Sequence, residues 1–478
     1  MTRRFLPVLL ACALVAPAAS GYEAQSTHVG LTERAAQAVK LHQILTKRWG
    51  LQLGVFEPLR LKAPPKLAWR LGQLDPIEGL RPDGDQNTAL GWLLAGAVLE
   101  DLPPARTRNH FFDPRTGQGL HEHGAMTRLF YALFGDHEVG GAFNLRGVPA
   151  PEWAVAPDNE LGVPALQDAL VETAAGETVQ AREGAAAQAL LCLGALAHLL
   201  EDMGSPSHVR NDFRGDHLQQ VPGSSVWDQR SRYEHFVAQR YGRLGVPAPA
   251  GSPQPHARLR DYFTALAEWV QPRFFSAGTL PAELDARGLN GAALLERANR
   301  SLALPTPRVE KLDLDARAGA AGGLVRSQEV PLLASYVIEK GELRFELDER
   351  AHAVYARLLL PRVVRATADL LAFLLRGQLQ VASSADGWVV TNRGPALARG
   401  TLRLLAEDEA GRRRPVEILA AAWPVRSGAE LGRVPSGHAL PSGTKRLVAV
   451  VRGQDEAGEP LVAIETVPVP AVQTTSSN

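Results

Sequence analysis

Apolar positions recur at helical spacing from about residue 27 to 378, in segments at 31–48, 88–99, 125–135, 164–174, 184–203, 227–241, 255–271 and 349–376. Strand-like alternation is nearly absent there, so the pattern predicts a mainly α region. The stretch 351–375 carries Leu358, Leu359, Leu360, Val363, Val364, Leu370, Leu371, Leu374 and Leu375, enough for the core helix of a bundle, with a kink expected at Pro361. Gly- and Pro-rich stretches near 139–164, 244–254 and 302–330 predict long surface loops. After Gln378 the period changes to two. Short β-prone runs at 379–381, 387–391, 401–405, 416–421, 446–451 and 461–467, separated by turns such as Asp455-Glu456-Ala457-Gly458, predict a small β-sandwich of immunoglobulin or fibronectin kind. The expected division is a helical domain over 22–378, the sandwich over 379–470 and a disordered tail over 471–478.

The first residues belong to neither domain. Arg3 and Arg4 precede an apolar run over 5–17 and the small residues Ala18, Ala19, Ser20 and Gly21, the pattern of a signal peptide cleaved before Gly21 or before Tyr22. Secretion or export to a periplasm is therefore expected. Leu9-Leu10-Ala11-Cys12 resembles a lipoprotein processing site, but apolar residues continue past Cys12, which disfavours a lipid anchor. Cys192 is the only other cysteine among 478 residues, so the mature chain is expected to do without an intrachain disulfide, with Cys192 as a small buried side chain. Lys plus Arg balances Asp plus Glu at 51 each, which gives no global basic field for a stable nucleic-acid complex.

Candidate chemistry concentrates where one apolar segment ends. In His198-x-x-x-Asp202-x-x-x-x-x-His208, four-residue spacing places His198 and Asp202 on one helix face, and the turn at Gly204 and Pro206 can fold His208 back toward them. Zinc favours such donors. A His and an Asp one turn apart also occur as an ordinary surface pair, but Ala195, Leu196, Ala197, Leu199 and Leu200 predict burial, where unpaired ionisable groups are costly.

Three further segments offer partners. His28 precedes a helix that Thr27 or Thr32 could cap, and is either a surface residue or a ligand beside the mature α-amino group. Glu100-Asp101 ends an apolar helix and is followed by His110 and by Asp113-Pro114, which can be only a turn, with His121 and His123 as possible decoys beyond. Asp216-His217 and Tyr233-Glu234-His235 supply His217 from a loop and Glu234 from a helix able to pack beside 184–203.

Thr27-His28, His110-Phe111-Phe112-Asp113-Pro114-Arg115-Thr116-Gly117, the His198 to His208 motif and Glu234 occur in an order similar to that of the zinc-dependent phospholipases C, whose superfamily includes secreted single-strand-specific zinc nucleases. The resemblance covers most of 22–240. It implies a helical fold with up to three zinc ions in a cleft. Asp101, His110, His198 and Asp202 resemble the ligands of one ion; Asp202 resembles a bridge to a second, held with His28 and the N-terminal residue; His208, a second histidine and Glu234 resemble the ligands of the third. The sequence departs from the family at three places: no N-terminal tryptophan, Arg230 where a histidine four residues before the glutamate is expected, leaving His217 as substitute, and a short Asp101–His110 interval that leaves Asp83 or Asp85 as alternatives to Asp101.

What the resemblance implies chemically is phosphodiester hydrolysis by metal-activated water, with Asp202 and Asp101 as catalytic carboxylates. The substrate expected is a phospholipid met in transient contact with a membrane surface. Trp92, Phe111, Phe112, Trp153, Trp227 and Tyr233 could form either an apolar cleft for acyl chains or, in a nuclease, a stacking shelf, while large aromatics are by default core. A secreted binding or adhesion protein with a remnant site is the third reading; the partner of the sandwich is unknown.

Overall fold

The computed structural model describes residues 24–74, 80–121, 146–213, 231–247, 254–301, 313–316, 321–384, 387–435 and 440–470. The segments expected as signal peptide, as the helix at 125–135 and as the tail, together with His123, His217, Trp227 and Arg230, lie outside the described residues.

Twelve α-helices are described: α1 Val29–Ala38, α2 Leu41–Ile44, α3 Pro65–Leu71, α4 Ala89–Leu99, α5 Ala150–Trp153, α6 Val163–Ala175, α7 Val179–Glu201, α8 Pro206–Val209, α9 Arg232–Leu244, α10 Leu259–Val270, α11 Gly291–Ser301 and α12 Glu349–Leu374. Helix α7 is the axis of the molecule. The Thr178 hydroxyl accepts the Ala181 N–H and starts it, and from Ala185 to Glu201 all but Gln188 are buried. Among the described residues, Val179–Gly204 is the one helical stretch long and apolar enough to cross a membrane, but 78% of its apolar window is covered by the protein itself. It is a core helix, apolar all round because neighbours surround it. Each of its fully buried leucines contributes about 1.5–3 kcal/mol relative to exposure.

Helix α4 crosses α7 closely because both present glycine. A Cβ on Gly96 would lie 2.1 Å from the Leu191 carbonyl oxygen, and one on Gly194 would lie 1.9 Å from that of Leu93. This contact brings the two helix ends, Glu100-Asp101 and Glu201-Asp202, to one place. Helix α12 runs unbroken through Pro361 and packs against α1, α7, α9 and α10.

Strands occur where the sequence pattern gave none. β1 (Pro58–Arg60) and β2 (Gln86–Thr88) form a short ribbon. β3 (Leu284–Asp285), β4 (Asp313–Ala316), β5 (Gly322–Arg326), β6 (Ala334–Glu339) and β7 (Glu342–Glu346) form an antiparallel sheet in the order β3-β7-β6-β5-β4. The loop expected over 302–330 is thus partly strand. Its glycines had suggested a turn, yet they allow close approach: a Cβ on Gly322 or Gly323 would meet the carbonyl oxygen of Tyr336 or Asp315. The β6–β7 hairpin turns at Lys340 and Gly341, both at positive φ, and Leu343 and Phe345 alternate into the core.

The C-terminal strands are β8 (Leu379–Ser384), β9 (Gly387–Asn392), β10 (Leu397–Glu407), β11 (Arg413–Val416), β12 (Leu419–Ala420), β13 (Glu430–Pro435), β14 (Arg446–Asp455) and β15 (Pro460–Pro468). They form two four-stranded sheets, β12-β13-β9-β8 and β11-β10-β14-β15, which share a core of Val381, Val390, Leu431, Leu447, Ala449, Val451 and Ala463. That strand order is the immunoglobulin arrangement with one strand added beside the third. The segment expected as one strand at 416–421 divides between the sheets, and β13 was not anticipated.

The second sheet is buried on both faces. Leu405, Val448, Val450, Val462 and Ile464 point away from the sandwich core into the helical one, against α6. This explains the continuous apolar run of β14.

Candidate metal centre

Five carboxylates converge at the ends of α4 and α7. Glu100, Glu201, Asp202 and Glu234 are fully buried, and Asp101 is 7% exposed. His28, His110, His198 and His208 are fully buried among them.

Backbone carbonyls set the imidazole tautomers, since they can only accept. His198 donates from Nδ1 to the Ala97 carbonyl at 2.6 Å, which leaves a lone pair on Nε2. His208 donates from Nδ1 to the His110 carbonyl at 3.0 Å, and its Nε2 lies 3.4 Å from Glu234 Oε1. The His208 ring stacks on Phe111 with centroids 4.4 Å apart.

The freed His198 Nε2 faces three other donor atoms. His110 Nδ1 lies 3.2 Å from it, Asp202 Oδ2 3.3 Å and Asp101 Oδ1 3.5 Å. His110 Nδ1 is in turn 2.9 Å from Asp202 Oδ2 and 3.5 Å from Asp101 Oδ1. Tetrahedral zinc with bonds of about 2.0–2.1 Å needs its ligand atoms about 3.3 Å apart. Those spacings, five of the six edges of such a tetrahedron, scatter around that value. Asp202 Oδ1 turns the other way, 3.4 Å from His28 Nε2, and the His28 ring stacks on His198 at 3.8 Å. His28, His198 and Asp202 form a second donor group, so Asp202 divides its oxygens between two groups.

Both oxygens of Asp101 and of Asp202 are buried without a hydrogen bond. Orphaned carboxylate oxygens are costly unless a cation meets them. Charge leads to the same requirement. Among the described residues, Glu100, Asp101, Glu201, Asp202 and Glu234 bring five negative charges and Arg106, bonded to Glu100 at 2.6 Å, brings one positive, a deficit of four with neutral imidazoles. A deficit of that size calls for cationic partners, and two or more divalent ions would meet it. Zinc fits the donor set.

The ionisation of these groups records the same field. Burial opposes charging His198, yet Asp101 and Asp202 raise its pKa well above the usual value. Burial likewise opposes charge on His208, but Asp202 and Glu234 push it up to about 9. Against burial, His208, His198 and His110 hold Asp202 well below the ordinary carboxylate range, and Arg106 and His110 hold Glu100 down to about 2.

Of the residues singled out in the sequence, His28, Asp101, His110, His198, Asp202, His208 and Glu234 meet here. His217 lies outside the described residues, as does the mature N-terminus. Asp83 and Asp85 are exposed, Asp83 in a turn with Gln86, so neither replaces Asp101. Asp113 is a turn residue: its Oδ1 accepts from Arg115 N and Gln271 Nε2, and its carbonyl from Gly117 N. His121 bridges to Arg146 and joins neither donor group. Thr32 does not cap α1, because the chain enters that helix through a turn of π-helix, Ala24–His28. Glu234 reaches the centre through the turn after α7 rather than by α9 lying along α7. Its Oε1 accepts from Ser205 and Ser207, and its Oε2 closes a capping box with Ser231 N at 2.9 Å.

Glu201 and Arg106 were not anticipated as partners, and Glu100 was noted only as the neighbour of Asp101. Glu201 Oε2 lies 2.7 Å from His28 Nδ1, and its Oε1 accepts from Thr32 Oγ1 at 2.9 Å. Glu100 accepts from Trp153 Nε1 at 2.8 Å and stands 3.8 Å from His110 Nε2. For the two glutamates the available signal was a charged residue at the end of an apolar run; Arg106, in the stretch Pro104–His110, carried none. Cys192 is inert, its thiol pushed up to about 12 by burial.

No family model and no curated protein sequence matches the chain. Among solved structures, alpha toxin from Clostridium absonum aligns at 11% identity and alpha-toxin from an avian strain of Clostridium perfringens at 10%, each with a TM-score of 0.31. Each alignment covers 94% of this chain and 100% of the other. A superposition at that level carries no argument, and function must be read from the residues themselves.

Proposed function

We propose that the chain is an exported zinc-dependent phosphodiesterase of the phospholipase C kind, holding up to three ions and hydrolysing glycerophospholipids in transient contact with a membrane surface. The observation that carries this reading is the near-tetrahedral convergence of His110 Nδ1, His198 Nε2, Asp101 Oδ1 and Asp202 Oδ2, with Asp202 Oδ1 turned to His28. When bound, zinc supplies an activated water near neutral pH and positive charge for the phosphoryl oxygens. His198, fixed through the Ala97 carbonyl, and His28, fixed through Glu201, hold their lone pairs in place without reorganisation. Asp101, the least deeply buried carboxylate of the set, would take the proton as water attacks phosphorus and return one to the alcohol oxygen as the ester P–O bond breaks.

The His110 to Gly117 signature, the C-terminal module and the balanced charge support the phospholipase reading over the nuclease. Trp92, Phe111, Phe112, Trp153 and Tyr233 are all 8% exposed or less, so these five form neither a stacking shelf nor the wall of an acyl cleft. Turnover of phosphatidylcholine vesicles and of single-stranded DNA, with Asp202→Asn as control, tests the reading. Lipid cleavage lost in the variant is expected. DNA cleavage alone would favour the nuclease, and zinc-loaded protein that cleaves neither would favour a binding role.

A further inference from the structure

The two helix ends at the centre share a dipeptide, Glu100-Asp101 and Glu201-Asp202. Successive helical residues point about 100° apart, so Asp and Glu face different neighbours. Asp202 turns toward His110, His198 and His28, whereas Glu201 turns toward α1 and meets His28 and Thr32.

We propose that Glu201 is a positioning residue: it accepts a hydrogen bond from His28 Nδ1–H and so fixes the imidazole with its Nε2 lone pair toward Asp202, which sets the affinity of the ion held between those two. The inference rests on the zinc reading above. Both Glu201 oxygens are engaged, Oε2 by His28 at 2.7 Å and Oε1 by Thr32 at 2.9 Å, so the carboxylate is spoken for and is not itself a ligand. The pair is fully buried, which strengthens the charge-assisted bond and makes the imidazole a better donor to a cation. Thr32, one turn after His28 on α1, holds the carboxylate from its other side. The histidine therefore acts as a lever between a fixed carboxylate and the ion. Glu100 does not act in this way, because Arg106 and Trp153 hold it and His110 Nε2 stands 3.8 Å off.

The full-length protein, Glu201→Gln and Thr32→Val are stripped of metal and titrated with Zn²⁺ against a competing chromophoric chelator, with circular dichroism as a check on folding. In the wild type at least two ions should bind. Glu201→Gln should weaken one of them by about 10–100-fold and leave another within about threefold, and Thr32→Val should weaken the same ion less. Nitrogen-15 spectra should show the His28 Nδ1 proton exchanging faster in both variants. Unchanged affinities in a folded Glu201→Gln overturn the proposal while the zinc reading stands. If that variant does not fold, Thr32→Val decides: a selective loss supports the proposal and no change overturns it. A folded wild type that takes up no Zn²⁺ overturns the zinc reading itself.

Discussion

Among the described residues, two clusters of buried charge are built differently. At the seam between α6 and the sandwich, Arg182, Arg413 and Arg446 surround Glu407. Each bond there is made within the chain: Arg413 donates to Glu407 at 2.7 Å and to the Thr173 and Ala174 carbonyls, and Arg182 donates to the Gly176 and Gly411 carbonyls. The arginines thereby satisfy the open end of α6. At the ends of α4 and α7, by contrast, the oxygens of Asp101 and Asp202 converge with imidazole nitrogens and receive no hydrogen bond. A closed cluster of buried charge belongs to the fold, and an open one that converges on a point needs a guest.

The contrast is sharpest under substitution. Asp202→Asn should lower phosphodiester turnover by about 10³-fold or more and release zinc, since an amide cannot divide two anionic oxygens between two donor groups. Assays of turnover and metal content check this. Arg413→Ala should leave zinc content unchanged and cost about 3–5 kcal/mol of stability, because Glu407 is left buried with a weakened set of partners. Denaturant unfolding reads that loss, and if the variant also lost zinc the two clusters would not be separable in this way.

Removing zinc should destabilise the protein through the open cluster alone. At a free ion concentration a thousandfold above Kd the linked loss is about 4 kcal/mol per ion, read as a fall in Tm on chelation. The Arg413 variant should show the same chelation-dependent fall as the wild type.

The smallest effect concerns pH where Arg48 meets Glu465 of β15, apart from both clusters. Burial raises Glu465 to about 7, only partly countered by Arg48. A folded-state pKa above the unfolded one gives stability that is complete below about 4.5 and is lost as pH rises through about 7. Glu465→Gln should match the wild type near pH 4 and exceed it at pH 8 in thermal unfolding, with zinc binding unaltered.

The sequence pattern brought His198, Asp202 and His208 forward as candidates because their spacing is local: they lie within one helix end and its turn. It could not reveal that Glu201 meets His28 and Thr32, or that Glu100 sits against Trp153, because those contacts join residues far apart in sequence through tertiary packing. The sheet over β3–β7 was hidden for a different reason. Glycines that permit strands to approach look, in one dimension, like glycines that make loops. The sandwich was legible from alternation, but not the burial of its second face, since a run such as that of β14 does not say what lies on either side.

Metal analysis of the purified, extensively dialysed protein tests the central claim most directly. At least two equivalents of zinc per folded chain are predicted, falling to one or none in Asp202→Asn and unchanged in Arg413→Ala. A folded wild-type protein that retains no zinc, and whose Tm does not respond to added Zn²⁺, would contradict it.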